Sequence, residues 1–443
     1  MNIFEHCRTA TPISSSPREQ FYFSEAILIM TGSLKKMLSW DAAAGDDPAQ
    51  AVACAVLLCL TILAVVLIFV SGGSHPGIDF SCFWGAGTMA LEGHAAAAYD
   101  WQQLHQLLIR MQPIIHAAYP YDQMPVPFFY PPVFFLVLAP LALLPFWIAF
   151  WVWSAAKLLC WLLVVHAIRP RSAAMLLALA APPVFFDFIA GQSALLAASL
   201  LGGILLTLDR RPLLSGFLLA LLIFKPQYGV LLPFVLIATK RWRVVVTASL
   251  VAPTLILLTG IIFGWDTFKG FREAATYAAT QFHLSGALPW YKLQSNYGLF
   301  RFAGLDYGPA MSLHVAIAAA CAIWVLIIWR RQVSFSVQAA SLLAATPLVS
   351  PYFAIYDMPI LAIALVFLMN AGTDERIAPR SNRRVFRIGV GIVFLLGYVF
   401  PLVLWPVGPL MCATVIAVIL MSYRHRTASE TTTAAPLREP ASV

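Results

Sequence analysis

Residues 71–100, SGGSHPGIDFSCFWGAGTMALEGHAAAAYD, follow directly on the apolar run 51–70 and place Asp79 a few positions past its end. At a rise of ~1.5 Å per residue, a helix of about 20 residues is as long as the ~30 Å hydrocarbon core of a bilayer is thick. Ser71, Gly72, Gly73 and Ser74 then stop that helix. A carboxylate so close to hydrocarbon must keep water or find hydrogen-bond partners. The rest of the chain reads as a container for it.

Composition assigns the class. A chain of 443 residues that is 60% hydrophobic and 11% charged, with a mean hydropathy of +0.81, cannot cover a soluble core with polar surface. It reads as an all-α polytopic membrane protein. The formal charge of +8 would point a soluble chain toward nucleic acid, but here Lys and Arg mark topology instead, so no nucleic-acid partner is expected. The 7 cysteines are scattered, mostly inside apolar runs, and predict neither a disulfide framework nor a metal site.

Working outward from residue 79, residues 1–48 read as a cytoplasmic tail with an interfacial helix, and 51–70 as an uncleaved signal anchor held inside by Lys35 and Lys36. The first outer loop is then 71–146. It holds an amphipathic stretch at 101–111, the proline and aromatic segment PYDQMPVPFFYPP at 120–132, and a short apolar run, 133–144, read as re-entrant. Residues 147–168 return to Arg169 and Arg171, 175–186 go out to 187–192, and 193–208 return to Asp209, Arg210 and Arg211. The run 213–238 is interrupted by Lys225, Pro226 and Gln227, and proline breaks a helical ladder, so two half-spans meeting at Lys225 are predicted. Taking both 133–144 and 213–238 as full crossings would export four arginines, which the positive-inside rule rejects. In the accepted version Gln192 and Lys225 fall on the same outer side as Asp79.

Residues 244–263 lead out to a second outer loop at 264–308, and 309–329, 337–349 and 354–369 follow. A closing hairpin spans 388–404 and 407–423. This gives a transmembrane domain at 49–424 with about 10–12 helices, both termini cytoplasmic, and a disordered tail at 425–443.

Asp79 reads either as a general base or as the N-cap of a helix beginning at Phe80. Lys225, flanked by apolar half-helices, needs a polar cavity unless its stem carries the charge to the interface. Its ammonium suits a phosphate, with Gln192 and Gln227 as uncharged donors beside it. Tyr352, Tyr356 and Asp357 form another polar group at a span end, where Asp357 could pair with Lys225 or a substrate hydroxyl, or serve as a helix-start acid. Trp84, Tyr130, Trp290 and Tyr291 suit sugar faces as well as an interfacial aromatic belt. His75, His94, His105, His116 and His283 show no metal-ligand spacing, and there is no phosphate loop, hydrolase elbow or zinc signature. No metal or cofactor is expected.

Asp79-Phe80, Gly93 with Tyr99-Asp100, Tyr130-Pro131-Pro132, Gly191-Gln192, Arg211-Pro212, Gly216, Lys225-Pro226-Gln227, Ser350-Pro351-Tyr352 and Tyr356-Asp357 occur in that order. The string resembles glycosyltransferase family 87, over approximately residues 50–370. The resemblance implies a GT-C-type bundle in the plasma (inner) membrane with its active site facing the periplasm or exterior. It implies transfer of a hexose, mannose by likeness to the mannosyltransferases of glycolipid assembly, from a polyprenyl-phosphate sugar to a glycolipid or glycan acceptor. Asp79 would be its catalytic base. Lys225, with Gln192 and Gln227, would hold the donor phosphate, and Tyr130, Tyr352, Tyr356 and Asp357 would line the substrate site. The competing reading is a lipid-linked sugar flippase or transporter without bond chemistry.

Overall fold

Proline and glycine divide this apolar chain into pieces shorter than full spans, and the computed structural model places the breaks. It describes residues 76–115, 127–284, 289–371 and 380–433, with Ala55, Leu58 and Cys59. The expected N-terminal tail, nearly all of the expected anchor at 51–70, His75 and His116 lie outside the described residues. The described residues form helices and turns, with an isolated bridge between Leu293 and Ala354 and no strand.

The expected first outer loop begins with α1 (Ile78–Leu91), a 3₁₀ turn at Ala95–Tyr99 and α2 (Trp101–Ile115). Asp100 starts α2 by accepting from the backbone N–H of Gln102 at 2.9 Å, the usual work of a capping acid. A 3₁₀ turn at Pro132–Phe134 leads into α3 (Phe135–Ala142), which packs on α1. Then α4 (Phe146–Ile168) is the first long helix.

The crossing expected at 175–186 is two helices, α5 (Ser172–Ala180) and α6 (Pro182–Ala190), bent by 60°. The cause is local. Pro182 and Pro183 have no N–H to give, and the residue before a proline is driven to extended backbone, as Ala181 is at φ −65°, ψ 117°. After α7 (Ala194–Thr207), α8 (Pro212–Leu221) and α9 (Leu232–Ala238) are the expected half-spans. Between them two 3₁₀ turns meet at Lys225, whose φ of −140° is not helical.

In the expected second outer loop, α10 (Trp242–Phe263) is followed by α11 (Asp266–Tyr277), a π-helical turn at Ala278–Leu284 and α12 (Asn296–Phe302). Ser295 caps α12 by accepting from Gly298 N–H at 3.1 Å. The two segments expected to lie outside pack together, with Tyr99 and Phe271 edge to face at 5.8 Å. Then come α13 (Tyr307–Arg330), α14 (Phe335–Val349), a 3₁₀ turn at Ile355–Asp357, α15 (Pro359–Ala371), α16 (Arg380–Val403) and α17 (Gly408–Thr433). Helix α17 runs through residues 425–433 to Thr433.

Among the described residues, four helices are long and apolar enough to span a membrane, at Phe146–Ile168, Trp242–Phe263, Tyr307–Arg330 and Arg384–Pro401, and the bent pair makes a fifth. Two of them, α10 and α13, sit outside. Only 11% of the apolar window of α10 and 17% of that of α13 are buried, and residues such as Ile261 and Leu250 face outward. That arrangement suits lipid, where outward-facing apolar side chains carry no penalty. The interior belongs to shorter helices: every residue of α15 from Pro359 to Met369 is buried, packed on α4, α5, α7 and α14. Helix ends read as cytoplasmic are tied to one another, Arg241 to Asp209 at 2.8 Å and Arg169 to the carbonyl of Met369 at 3.3 Å. The polar cluster built by α1, the bent pair and the Lys225 break is the remaining feature of this interior.

Candidate active site

Asp79 is set in place by backbone. Gly77, left-handed at φ +73°, precedes α1 and donates its N–H to the carbonyl of Ile189 at 2.8 Å. Gly191, at φ +74°, ends α6, and a Cβ there would lie 2.5 Å from Cβ of Phe80. Two glycines therefore let the start of α1 lie directly on the turn after α6.

Helix α1 begins at Ile78, not Phe80, and Asp79 lies in its first turn without capping it. The capping alternative fails. The carboxylate instead accepts from the side chain of Gln192. Gln192 Oε1 accepts from the Tyr130 hydroxyl at 2.8 Å and from the Ser193 N–H at 3.3 Å, which leaves its NH₂ for Asp79. Asp79 lies outside the spanning segments and stays partly open. Removal of its carboxyl from water pushes the pKa up to about 6, against the lowering effects of Gln192 and of Lys292. At neutral pH it is ionised and a stronger base than a free carboxylate.

Lys225 is buried, with Nζ 2.6 Å from Asp357 Oδ1. Asp357 also takes the Tyr228 hydroxyl on Oδ1 at 3.2 Å and the Ala354 N–H on Oδ2 at 2.9 Å. So it is both a helix-start acid and the partner of Lys225. Around the ammonium stand the rings of Tyr130, Tyr228 and Tyr356, with centroids 5.9, 5.4 and 5.5 Å away. Beyond the ion pair, no hydrogen-bond acceptor meets Nζ among the described residues. Tyr130 joins the two halves, its hydroxyl on Gln192 and its ring toward Lys225.

Asp79, Gln192, Tyr130, Lys225, Tyr356 and Asp357 thus come together as one group. Gln227 is half-buried outside these hydrogen bonds, and Tyr352 is exposed beside Tyr307. Trp84 is buried and donates to the carbonyl of Leu144 at 3.0 Å, a packing role. Among the described residues no group of three His, Cys, Asp or Glu is placed to hold a metal.

A second buried ion pair went unread in the sequence. Lys157, at the middle of α4, meets Asp187 and donates to the carbonyls of Asp187 at 2.9 Å and Gln192 at 2.6 Å. The other Asp187 oxygen accepts from the N–H groups of Ala194 at 2.7 Å and Leu195 at 3.1 Å, closing the start of α7. The pair holds the turn that presents Gln192. Its signal was a single charged residue in an otherwise apolar helix. Tyr228 and Ser193 gave no comparable signal, since neither is charged.

The family model of glycosyltransferase family 87 matches residues 128–351. The match includes Tyr130, Lys157, Asp187, Gln192 and Lys225, begins after Asp79 and ends before Tyr356 and Asp357. No curated protein and no solved structure matches the chain.

Proposed function

Since the chain belongs to glycosyltransferase family 87 and is a membrane glycosyltransferase, we propose that it moves a hexose from a polyprenyl-phosphate carrier to a glycolipid or glycan hydroxyl. The observation that carries this reading is the continuity of base and cation. Asp79 and Lys225 are linked through Gln192 and Tyr130, so a hydroxyl beside the carboxylate and a phosphate beside the ammonium would lie in one site.

The acceptor oxygen attacks the anomeric carbon as its proton passes to Asp79. The bond from that carbon to the phosphate oxygen breaks, and the electron pair leaves with the polyprenyl phosphate. Charge grows on the phosphate, where the unpartnered Lys225 protons meet it. A single displacement inverts the sugar. Tyr356 walls the donor side, and Gln227 and Tyr352 would touch the substrate only at its margins. A lipid-borne donor suits a site at the break between α8 and α9, where Lys225 sits, with the active site facing the periplasm or exterior of the plasma membrane.

The test incubates purified protein in lipid with radiolabelled polyprenyl-phosphate sugars and total membrane lipid, comparing the native chain with Asp79→Asn. Transfer by the native chain and none above background by Asp79→Asn, with donor binding retained, is expected. Equal transfer by the variant removes Asp79 as the base. Movement of donor between leaflets of sealed vesicles without any transfer replaces the reading with a flippase.

A further inference from the structure

A cleft separate from the Asp79 and Lys225 cluster opens where the two outer segments meet. It encloses about 470 Å³ between the 3₁₀ turn at Ala95–Tyr99, the start of α2 and one face of α11. That volume is within the ~300–1,000 Å³ of small-molecule sites. Asp266, Lys269, Glu273 and Tyr277 recur along α11 at helical spacing, so a single face turns them all into the cleft. Gly270 on the same face brings α11 close to the turn, since a Cβ there would lie 3.1 Å from the carbonyl oxygen of Ala96. Trp101 and Asp100 form the opposite wall.

The chemistry of this lining is specific in kind. Among the described lining residues, carboxylates of Asp100, Asp266 and Glu273 against the ammonium of Lys269 leave the cleft net negative, so a phosphate or a second donor molecule is disfavoured. An apolar chain would bury charges without partners. A hydroxyl-rich ligand satisfies both limits: its O–H groups donate to exposed carboxylates, and its C–H faces lie on Trp101 and Tyr277. The cleft is also physically joined to the reaction centre. Tyr99, part of its wall, donates to the carbonyl of Tyr130 at 2.7 Å, and the Tyr130 hydroxyl donates to Gln192.

We propose that this cleft binds the neutral sugar residues of the acceptor glycan, at a distance from the hydroxyl that reacts. The proposal rests on the glycosyl-transfer reading for its place in the reaction, and on the cleft alone for sugar binding. Saturation-transfer NMR on the full chain in lipid nanodiscs, with maltotriose, mannotriose and chitotriose as probes, tests the second directly. At least one trisaccharide is expected to bind the native chain, and the isosteric double variant Asp266→Asn with Glu273→Gln should weaken it about tenfold. In transfer assays the same variant should raise KM for a trisaccharide-bearing glycolipid about tenfold relative to KM for a single-sugar glycolipid.

Absence of binding by all three probes overturns the proposal, as does equal binding by the variant or an unchanged KM ratio. Displacement of the sugars by calcium, retained in the native chain and absent in the variant, would make the cleft a cation site and also overturn it. Binding that is lost in the variant, in a native chain that transfers to no acceptor, would keep the cleft and reject the glycosyl-transfer reading.

Discussion

Lys157 and Lys225 are both buried, each beside an aspartate, and they differ in what the rest of each ammonium finds. Lys157 meets a carboxylate and two carbonyls, and so consumes the three protons it carries. Lys225 meets one carboxylate and otherwise faces tyrosine rings. A buried cation with every donor used is a tie between helices. One with donors to spare has been desolvated ahead of a ligand, and only the second is expected to bind an anion.

The largest expected effect would break this comparison if it failed. Lys157→Met leaves Asp187 buried without its counter-charge, which should cost about 3–5 kcal/mol of unfolding free energy in detergent. Adding Asp187→Leu should recover part of the loss but not all, because Asp187 also closes the start of α7. Native-like stability of Lys157→Met, with weakened donor binding instead, would exchange the roles of the two lysines.

Lys225→Met should act the other way round. Affinity for a polyprenyl phosphate, followed by isothermal calorimetry, is expected to fall about 10–100-fold, the ~1.5–3 kcal/mol of hydrogen bonds to a charged group. Stability should fall less than in Lys157→Met, since Asp357 keeps the Tyr228 hydroxyl and the Ala354 N–H.

The smallest effect sharpens the link between the two regions. Native kcat/KM should rise with pH through about 6 and then level off, because Asp79, as the proposed base, must be ionised to accept a proton and burial holds its pKa there. Gln192→Leu removes a hydrogen bond that favours the carboxylate, so the acid limb should move to higher pH. An unmoved limb would detach Gln192 from Asp79. The same raised pKa sets a sign for stability: the folded state gains from protonated Asp79, and this gain is lost as pH rises through about 6. Asp79→Asn should therefore flatten that part of the stability profile.

How much of this was legible in the chain depends on whether a residue carried its own punctuation. Lys225 stood out because proline follows it within an apolar run, and the break came where the sequence put it. Asp79 stood out because an apolar run ends just before it. The bend at Ala181 was equally punctuated by two prolines, but apolar residues on both sides concealed it. Lys157 lies 30 positions from Asp187, and no local spacing encodes a pairing across helices. Tyr130 is the instructive case: visible as an aromatic near an interface, it links the Asp79 and Lys225 groups only through contacts made by three separate segments.

The paired glycines at 77 and 191 have a consequence for genetics. Both need backbone angles that other residues adopt at a cost, and each faces phenylalanine at close range. In a saturation screen scored by growth, substitutions at either position should look as severe as loss of Asp79, the proposed base, although no glycine side chain exists to touch a sugar. Scoring protein abundance beside turnover would separate the two kinds of loss. The catalytic map drawn from such a screen would then contract to the side chains, with the glycines marked as the joint on which Asp79 is mounted.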